Sequence, residues 1–476
     1  MRRSDGMKRL IANVIPEETR LAVVGSDGAL LEFSVERPET PTLVGSVYKG
    51  RVQKVLPGMQ AAFIDIDQEK NAFLYLGDDM KNFPLNEGQD ILIQLSKEGF
   101  GTKGPKATRE IILPGRYIAL SPTTKRVGLS RRIENEEERS RLRDIGEKIC
   151  PPDIGIIIRT VAEGASEEEL RRDLSVLLEI WRQLLIRYDR SKAPSLLYRD
   201  LELSVRMVRD YFTLDTQEVV VDDKANFKKI HELLSDQLPE LVGRLKLYDG
   251  DEGIFSHYQL KEQLKRLYQR KLDLPSGGSI LIDHTEAMTV IDVNTEKFVG
   301  KIHMADTARQ TNLEAVDEIV RQIRLRDISG MILIDFIDMS EEERGRIFQV
   351  MKEKVKQDRN RVHLAGFTNL GLMEMTRKKI RKDLNSRLQD SCFYCLGRGT
   401  LFTPESVAIS AVRQLRRKKN QFGKDRSILI QVHPQVATFF KESGWVERLE
   451  KELAFSLKIE GNQSLRPDIY TLLSGS

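Results

Sequence analysis

Gly278-Ser279-Ile280-Leu281-Ile282-Asp283 and, after a short polar turn, Met288-Thr289-Val290-Ile291-Asp292-Val293 are two neighbouring apolar runs of strand length. Runs this short, rich in β-branched residues and bounded by polar turns, fit strands better than helices. A helix follows, with Leu313, Val316, Val320 and Ile323 recurring at helical spacing on one face. Met331-Ile332-Leu333-Ile334-Asp335 returns to the strand pattern, Ser340 and Glu343 have the spacing of a helix N-cap, and Val362 to Phe367 adds another strand. A β-hairpin followed by helix, strand, helix and strand predicts an α/β unit with a largely buried sheet. Pro275-Ser276-Gly277-Gly278 ahead of it reads as a linker, and the residues from Pro404 onward read as a small αβ domain.

Upstream the period changes. Leu21-Ala22-Val23-Val24, the turn Gly25-Ser26-Asp27-Gly28 and Leu30-Leu31-Glu32-Phe33-Ser34-Val35 make a hairpin. Beyond Pro38 and Pro41, Gly45-Ser46-Val47-Tyr48-Lys49-Gly50-Arg51-Val52 opens a series of short strands with Gly and Pro turns, the pattern of a small barrel. Helical patterns over 133–150 and 166–188, the second opened by a Ser166/Glu169 capping box, bracket the buried-strand run Ile154 to Ile158. Residues 202–272 alternate strand and helix signals.

The 476 residues allow about three domains, each able to bury its own core. With 40% hydrophobic and 31% charged residues the composition is that of a globular protein, not a disordered or fibrous one. No apolar run reaches the ~20 residues of a membrane span, and Met1-Arg2-Arg3-Ser4-Asp5 has no apolar segment behind it, so a cytoplasmic protein is expected. Three cysteines exclude a disulfide framework. The formal charge of +4 is too small to attract polyanions over the whole surface, but local basic runs exist. The richest, Gly101 to Arg132, carries Lys103, Lys106, Arg109, Arg116, Lys125, Arg126, Arg131 and Arg132 against Glu110 alone.

Four groups of residues carry chemistry. Asp292 and Asp335 both come at the ends of apolar strands in one sheet, which places them at the same edge, where α/β sheets bind ligands. Two buried carboxylates brought together repel unless a proton or cation intervenes, and Mg²⁺ suits such a pair; either Asp could instead cap its following turn. Asn294, two residues after Asp292, shares its face and is placed to orient it. In Ala61-Ala62-Phe63-Ile64-Asp65-Ile66 and in Ala72-Phe73-Leu74-Tyr75-Leu76, alternation turns Phe63, Phe73 and Tyr75 outward. Outward aromatics on adjacent barrel strands form a stacking platform for single-stranded nucleic acid, or else pack on a neighbouring domain. Arg159-Thr160 at the end of a buried strand can grip a terminal phosphate or take part in an ion pair. Cys392-Phe393-Tyr394-Cys395-Leu396-Gly397-Arg398-Gly399 is half a tetrahedral zinc site, closed by a second chain or by nearby His, unless the pair is redox-active or inert.

Together these motifs, with Thr311-Asn312-Leu313-Glu314-Ala315, Arg324-Leu325-Arg326-Asp327, Ile334-Asp335-Phe336-Ile337-Asp338-Met339 and Gly371-Leu372-Met373-Glu374-Met375-Thr376-Arg377, resemble the ribonuclease E/G family over most of the chain. The resemblance implies an α/β multidomain fold. Its parts are a split RNase H-like subdomain (1–38 and 202–272), an OB-fold RNA-binding domain (39–128) and a 5'-sensor region (129–201). A DNase I-like catalytic subdomain (273–390), a zinc link (391–401) and a small C-terminal dimerisation domain (402–476) follow. It also implies an endoribonuclease that cuts single-stranded RNA in ribosomal RNA maturation and message turnover, the alternative being a non-catalytic RNA-binding or ribosome-associated factor. Asp292 and Asp335 match the family's Mg²⁺ ligands and Asn294 their support. Phe63, Phe73 and Lys103 match RNA contacts, Arg159, Thr160 and Arg361 a 5'-monophosphate pocket, and Cys392 and Cys395 a zinc link. That link implies a homodimer and allows a tetramer. Phe393-Tyr394 stands where Pro-Arg is usual. The C-terminal scaffold of longer members has no counterpart, so no scaffold-docked partners are expected.

Overall fold

The computed structural model describes residues 7–77, 84–99, 103–213, 215–295, 304–422 and 427–474. The first six residues and Gly101, at the head of the basic run, lie outside the described residues. Two units divide the chain, Met1–Arg387 and Leu388–Ser476. No helix among the described residues is long and apolar enough to cross a membrane.

The first unit begins with a five-stranded sheet assembled from two distant segments. Its spatial order is Leu245–Leu247, Thr216–Val221, Lys8–Ile15, Glu18–Val24 and Leu30–Glu36. Lys8–Ile15 pairs in parallel with Thr216–Val221, so Leu10 lies beside Val219 and Ile11 beside Val220. Everything between these two segments is an insertion into one sheet.

The insertion starts with a closed barrel. Val47–Leu56, Ala61–Asp65, Ala72–Tyr75, Lys106–Thr108 and Asp90–Lys97 pair in turn, and the last returns to pair with the first. Closure needs a close approach at Gly50, where a Cβ would stand 2.4 Å from Ile64 Cγ2 and 3.1 Å from the Asp65 carbonyl oxygen. The alternation expected from the sequence holds: Ala62, Ile64, Ile66, Ala72, Leu74 and Leu76 are buried, whereas Phe63 and Phe73 are half-buried and Tyr75 is exposed.

The barrel ends with Lys106–Thr108. Val127–Leu129, Gly155–Ile158, Ile118–Ser121 and Leu113–Pro114 form, in that spatial order, a separate four-stranded sheet. The helices Glu136–Ile149 and Glu167–Arg190 accompany that sheet, the second opened by the full Ser166/Glu169 capping box.

The remaining sheet of this unit has six strands in the spatial order Lys271–Asp273, Ser279–His284, Met288–Asn294, Gly330–Asp335, Met373–Arg377 and Val362–Phe367. Two expectations are corrected here. Pro275–Gly278 is a tight turn joining paired strands, with Leu274 N–H donating to the Gly278 carbonyl at 2.7 Å, rather than a linker. The sheet is also covered on one face only. Ile291, Val293, Ile332 and Ile334 meet Ala315, Val316, Ile319 and Val320 of the helix Met304–Leu325 and Ile347 and Met351 of the helix Glu341–Val355. Residues of opposite parity on the same strands, Asp292, Asn294 and Asp335 among them, are half-buried or exposed. Met373–Arg377, quoted above only as a motif, is a strand inserted between two others. Leu313, expected on the apolar face of its helix, is 37% exposed, and the stripe position belongs instead to Asn312, which is fully buried.

In the second unit, Ser427–Val432 is the central strand between Ser456–Gly461, parallel to it, and Tyr470–Ser474, antiparallel. Val407, Leu415, Phe440 and Leu449 from the helices Pro404–Phe422, Pro434–Glu442 and Trp445–Leu453 pack with Ile428 and Ile430. Each such side chain contributes roughly 1.5–3 kcal/mol on burial.

Candidate active site

Met288–Asn294 and Gly330–Asp335 run in parallel, and their register places Asp292 directly beside Asp335. Two strands of the same direction that both end in Asp bring their carboxylates to one sheet edge, on the face the helices leave open. Asn294 donates its side-chain amide to Asp292 Oδ2 at 2.7 Å, which fixes that carboxylate. The sequence expectation of a buried pair is corrected in one respect: Asp292 is half-buried and Asp335 exposed. Partial desolvation, then the charges of Asp292 and Asp338, push the Asp335 carboxyl above its ordinary value.

One positioning residue was not anticipated. The Asn312 amide donates to the Ile337 carbonyl at 2.9 Å, and its oxygen accepts from the Ile337 N–H at 3.1 Å. Both polar ends of a fully buried side chain thus hold the backbone two residues beyond Asp335. The available signal was a polar residue standing in an otherwise apolar helical stripe.

The motifs Arg324-Leu325-Arg326-Asp327 and Thr376-Arg377 prove structural. Arg377, 5% exposed, pairs with Asp358 at 2.7 Å and Asp327 at 2.6 Å, Arg324 pairs with Glu32, and Arg326 donates to the carbonyls of Arg266 and Gln269.

On the barrel, Phe63 and Phe73 are cross-strand partners whose rings meet edge to face, centroids 5.9 Å apart. Lys103 is exposed on the segment that enters the strand Lys106–Thr108, whose first residue pairs with Phe73. Phe63 and Phe73 are thus neighbours on the outer wall, with Lys103 three residues ahead of the Phe73 partner Lys106.

Arg159 is bound from two sides, to Asp210 at 2.9 Å and to the Gly115 carbonyl. Against burial, which alone would raise it, Arg209 and Arg159 hold the Asp210 carboxyl down at about 2. Arg159 lines a cavity of about 440 Å³ that Arg359 also lines; Thr160 and Arg361 are not among its lining residues. Thr160 instead shares a 2.9 Å hydrogen bond with Ser130. Arg132, whose N–H donates to Ser130 Oγ, also donates to the Asp358 carbonyl, so the loop carrying Arg361 lies against the Thr160 segment.

In the second unit the Gly399 N–H donates to Cys395 Sγ at 3.3 Å. This bond, with others from Gly397 and Arg398 and from the Cys392 thiol, holds the Cys395 thiol below its ordinary value. Gly397 at φ 84° and Gly399 at φ 74° allow the chain to fold over the sulfur. Cys392 and Cys395 are free thiols, and no cluster of three or more His, Cys, Asp or Glu residues suited to a metal occurs among the described residues.

A split sheet, a closed barrel with outward aromatics and a one-sided sheet bearing paired carboxylates define a multidomain nucleic-acid enzyme class, and the chain belongs to the ribonuclease E/G family, whose model matches residues 112–380. Over nearly its whole length it is similar to ribonuclease G. It is 39% identical to that of Salmonella typhimurium (strain SL1344) over 91% of this chain and 92% of the relative, and 38% identical to that of Haemophilus influenzae over 95% and 96%. Ribonuclease E of Haemophilus influenzae is 37% identical over 87% of this chain and 46% of its own.

Proposed function

We propose that this endoribonuclease hydrolyses single-stranded RNA at the Asp292–Asp335 pair with Mg²⁺, and prefers substrates carrying a 5'-monophosphate. The observation that carries the reading is the register placing the two carboxylates side by side at the open edge of the sheet. The donor set fits the ion: two hard oxygen ligands, crowded enough that Asp335 holds its proton above the ordinary value, with open space for water and phosphate. Bound there, Mg²⁺ supplies Lewis-acid polarisation of the scissile phosphate and a more acidic water. Asn294 keeps the Asp292 carboxylate turned toward its partner, and Asn312 fixes the backbone beyond Asp335. The outward Phe63 and Phe73 hold bases of an unpaired strand, and Lys103 its phosphates.

The split sheet then serves as the RNase H-like subdomain, the barrel as the OB fold and the six-stranded sheet as the DNase I-like part. Thr160 and Arg361, with Arg159, read a terminal phosphate. Cys392 and Cys395 hold half of a zinc site completed by a second chain. Ribosomal RNA maturation and message turnover are the processes such cleavage serves. The experiment is incubation of the purified protein with a 5'-monophosphorylated oligoribonucleotide and its 5'-hydroxyl counterpart, with and without Mg²⁺. Cleavage that needs Mg²⁺ and is faster on the monophosphate supports the reading. Binding without cleavage would make the chain an RNA-binding factor, and equal rates on both substrates would remove the 5'-phosphate preference.

A further inference from the structure

Tyr75 is 54% exposed, an unusual position for an aromatic on a small barrel, and it lies beyond the Phe63–Phe73 pair. Two residues along its strand from Phe73, it presents its ring on the same outer wall. Its hydroxyl donates to Gln60 Oε1 at 3.2 Å, so the ring is tethered at its tip. Lys106 Nζ stands 5.8 Å from the ring centroid. Gly77, at φ 56°, leaves one side of the ring clear; a Cβ there would come within 3.3 Å of Tyr75 Cε1.

The ring and Lys106 line a groove of about 1050 Å³, which Arg109 and Lys378 line as well. At Pro114 and Ile380 this groove adjoins the cavity that holds Arg159. An exposed, tethered aromatic with a cation over its ring, in a basic groove running from the barrel wall, has the parts of a single-strand subsite: a π-face for a base and a charge for its phosphate.

We propose that Tyr75 and Lys106 form a further nucleotide subsite, in which a base of single-stranded RNA stacks on the Tyr75 ring while Lys106 pairs with an adjoining phosphate. The inference rests on the RNA-cleaving function proposed above and adds a contact beyond Phe63, Phe73 and Lys103. The spacing argues for an unstacked strand. Two residues along a strand span about 6.8 Å, which neighbouring bases of an extended chain can bridge. Bases of a duplex, about 3.4 Å apart along each strand, cannot occupy Phe73 and Tyr75 in succession.

The test is fluorescence anisotropy of the full-length protein with a 3'-fluorescein oligoribonucleotide in EDTA, so that binding is read without cleavage. Tyr75→Ala should weaken binding by about five- to a hundred-fold, the range that loss of one base–aromatic stack produces, and Tyr75→Phe should restore it. Lys106→Ala should lower the slope of log affinity against log salt by about 0.7, the value for one phosphate contact on a single strand. Because Tyr75 is exposed, thermal unfolding of these variants should match the parent. Parent-like affinity in Tyr75→Ala, beside weakened binding in Phe63→Ala, would overturn the subsite. An unchanged salt slope in Lys106→Ala would remove the phosphate contact and with it the proposed pairing. No binding of RNA by the parent protein would overturn the function on which the subsite rests.

Discussion

Asp335 carries opposite consequences for stability and for chemistry. Its carboxyl is pushed up, so the folded chain holds this proton more tightly than the unfolded one. Stability from this group is therefore present at low pH and falls as pH rises through the window between the ordinary carboxylate value and the raised one. At neutral pH the ionised group works against the metal-free fold. Asp335→Asn should thus leave the melting temperature of the metal-free protein equal or higher while lowering cleavage by orders of magnitude; a gel-based rate assay beside calorimetry reads both, and parent-like turnover would sink the metal-site assignment. Asn312 is the opposite kind of residue, touching no reacting atom but holding Ile337 at both its N–H and its carbonyl. Asn312→Ala should leave those groups unpaired at a cost of about 1–3 kcal/mol. It should also slow turnover by ten-fold or more as the Asp335 loop shifts, since a displacement of ~1 Å can cost about a hundred-fold. A fall in kcat with an unchanged KM for RNA marks positioning; a lower melting temperature with unchanged kcat would show packing alone.

At the scale of elements, the barrel strands were legible because a closed sheet enforces period-2 alternation, and Phe63 and Phe73 broke that pattern visibly. Their edge-to-face pair contributes about 0.5–1.5 kcal/mol to the fold. A stacked base is worth ~1–3 kcal/mol, so Phe63→Ala should lose more in RNA affinity than in stability. Titration calorimetry and thermal melts separate the two, and a large drop in melting temperature with parent-like affinity would show that this face is packing surface. The adjacent carboxylates were legible for a similar reason: parallel strands ending in Asp meet at one edge. Leu313 was misread because hydrophobicity was taken to define the stripe, whereas the helix turns Ala315, Val316, Ile319 and Val320 inward and Asn312 shares their face. Residues 113–129 keep a strand period, but period alone does not say which partner a strand takes, so their pairing in a separate sheet was not legible. Met373–Arg377 escaped notice because its exposed positions are Glu374 and Thr376 and its buried ones include Arg377, a charge placed where a strand pattern asks for an apolar residue.

Across the first unit, distant segments are joined by charge that no local pattern announces. Glu32, half-buried, would be raised by desolvation, yet Arg359 and Arg324 hold it low; Asp210 is held at about 2 by Arg209 and Arg159 against the same penalty. The Glu32 pairs join segments about three hundred residues apart, which is why sequence spacing could not reveal them. A depressed carboxylate stabilises the fold above its ordinary value and loses that contribution as pH falls toward the depressed one, so the first unit should weaken between about pH 4 and pH 2. Intrinsic fluorescence of Trp181 follows it in a Trp445→Phe background.

The second unit poses a different question of assembly. Cys392 and Cys395 offer two sulfur ligands, backbone N–H groups already turn toward one of them, and no group of three or more metal-ligating side chains occurs among the described residues. A tetrahedral zinc needs four ligands, so the site proposed for this knuckle would be closed by the same two cysteines of a second chain. Metal and association are then one equilibrium: the protein should be a dimer with about one zinc per two chains, and a chelator or Cys392→Ser should release the metal and shift it toward monomer as concentration falls. Metal analysis beside light scattering decides the matter. One zinc per chain, no zinc, or a dimer indifferent to Cys392→Ser would each show that the knuckle does not join two chains.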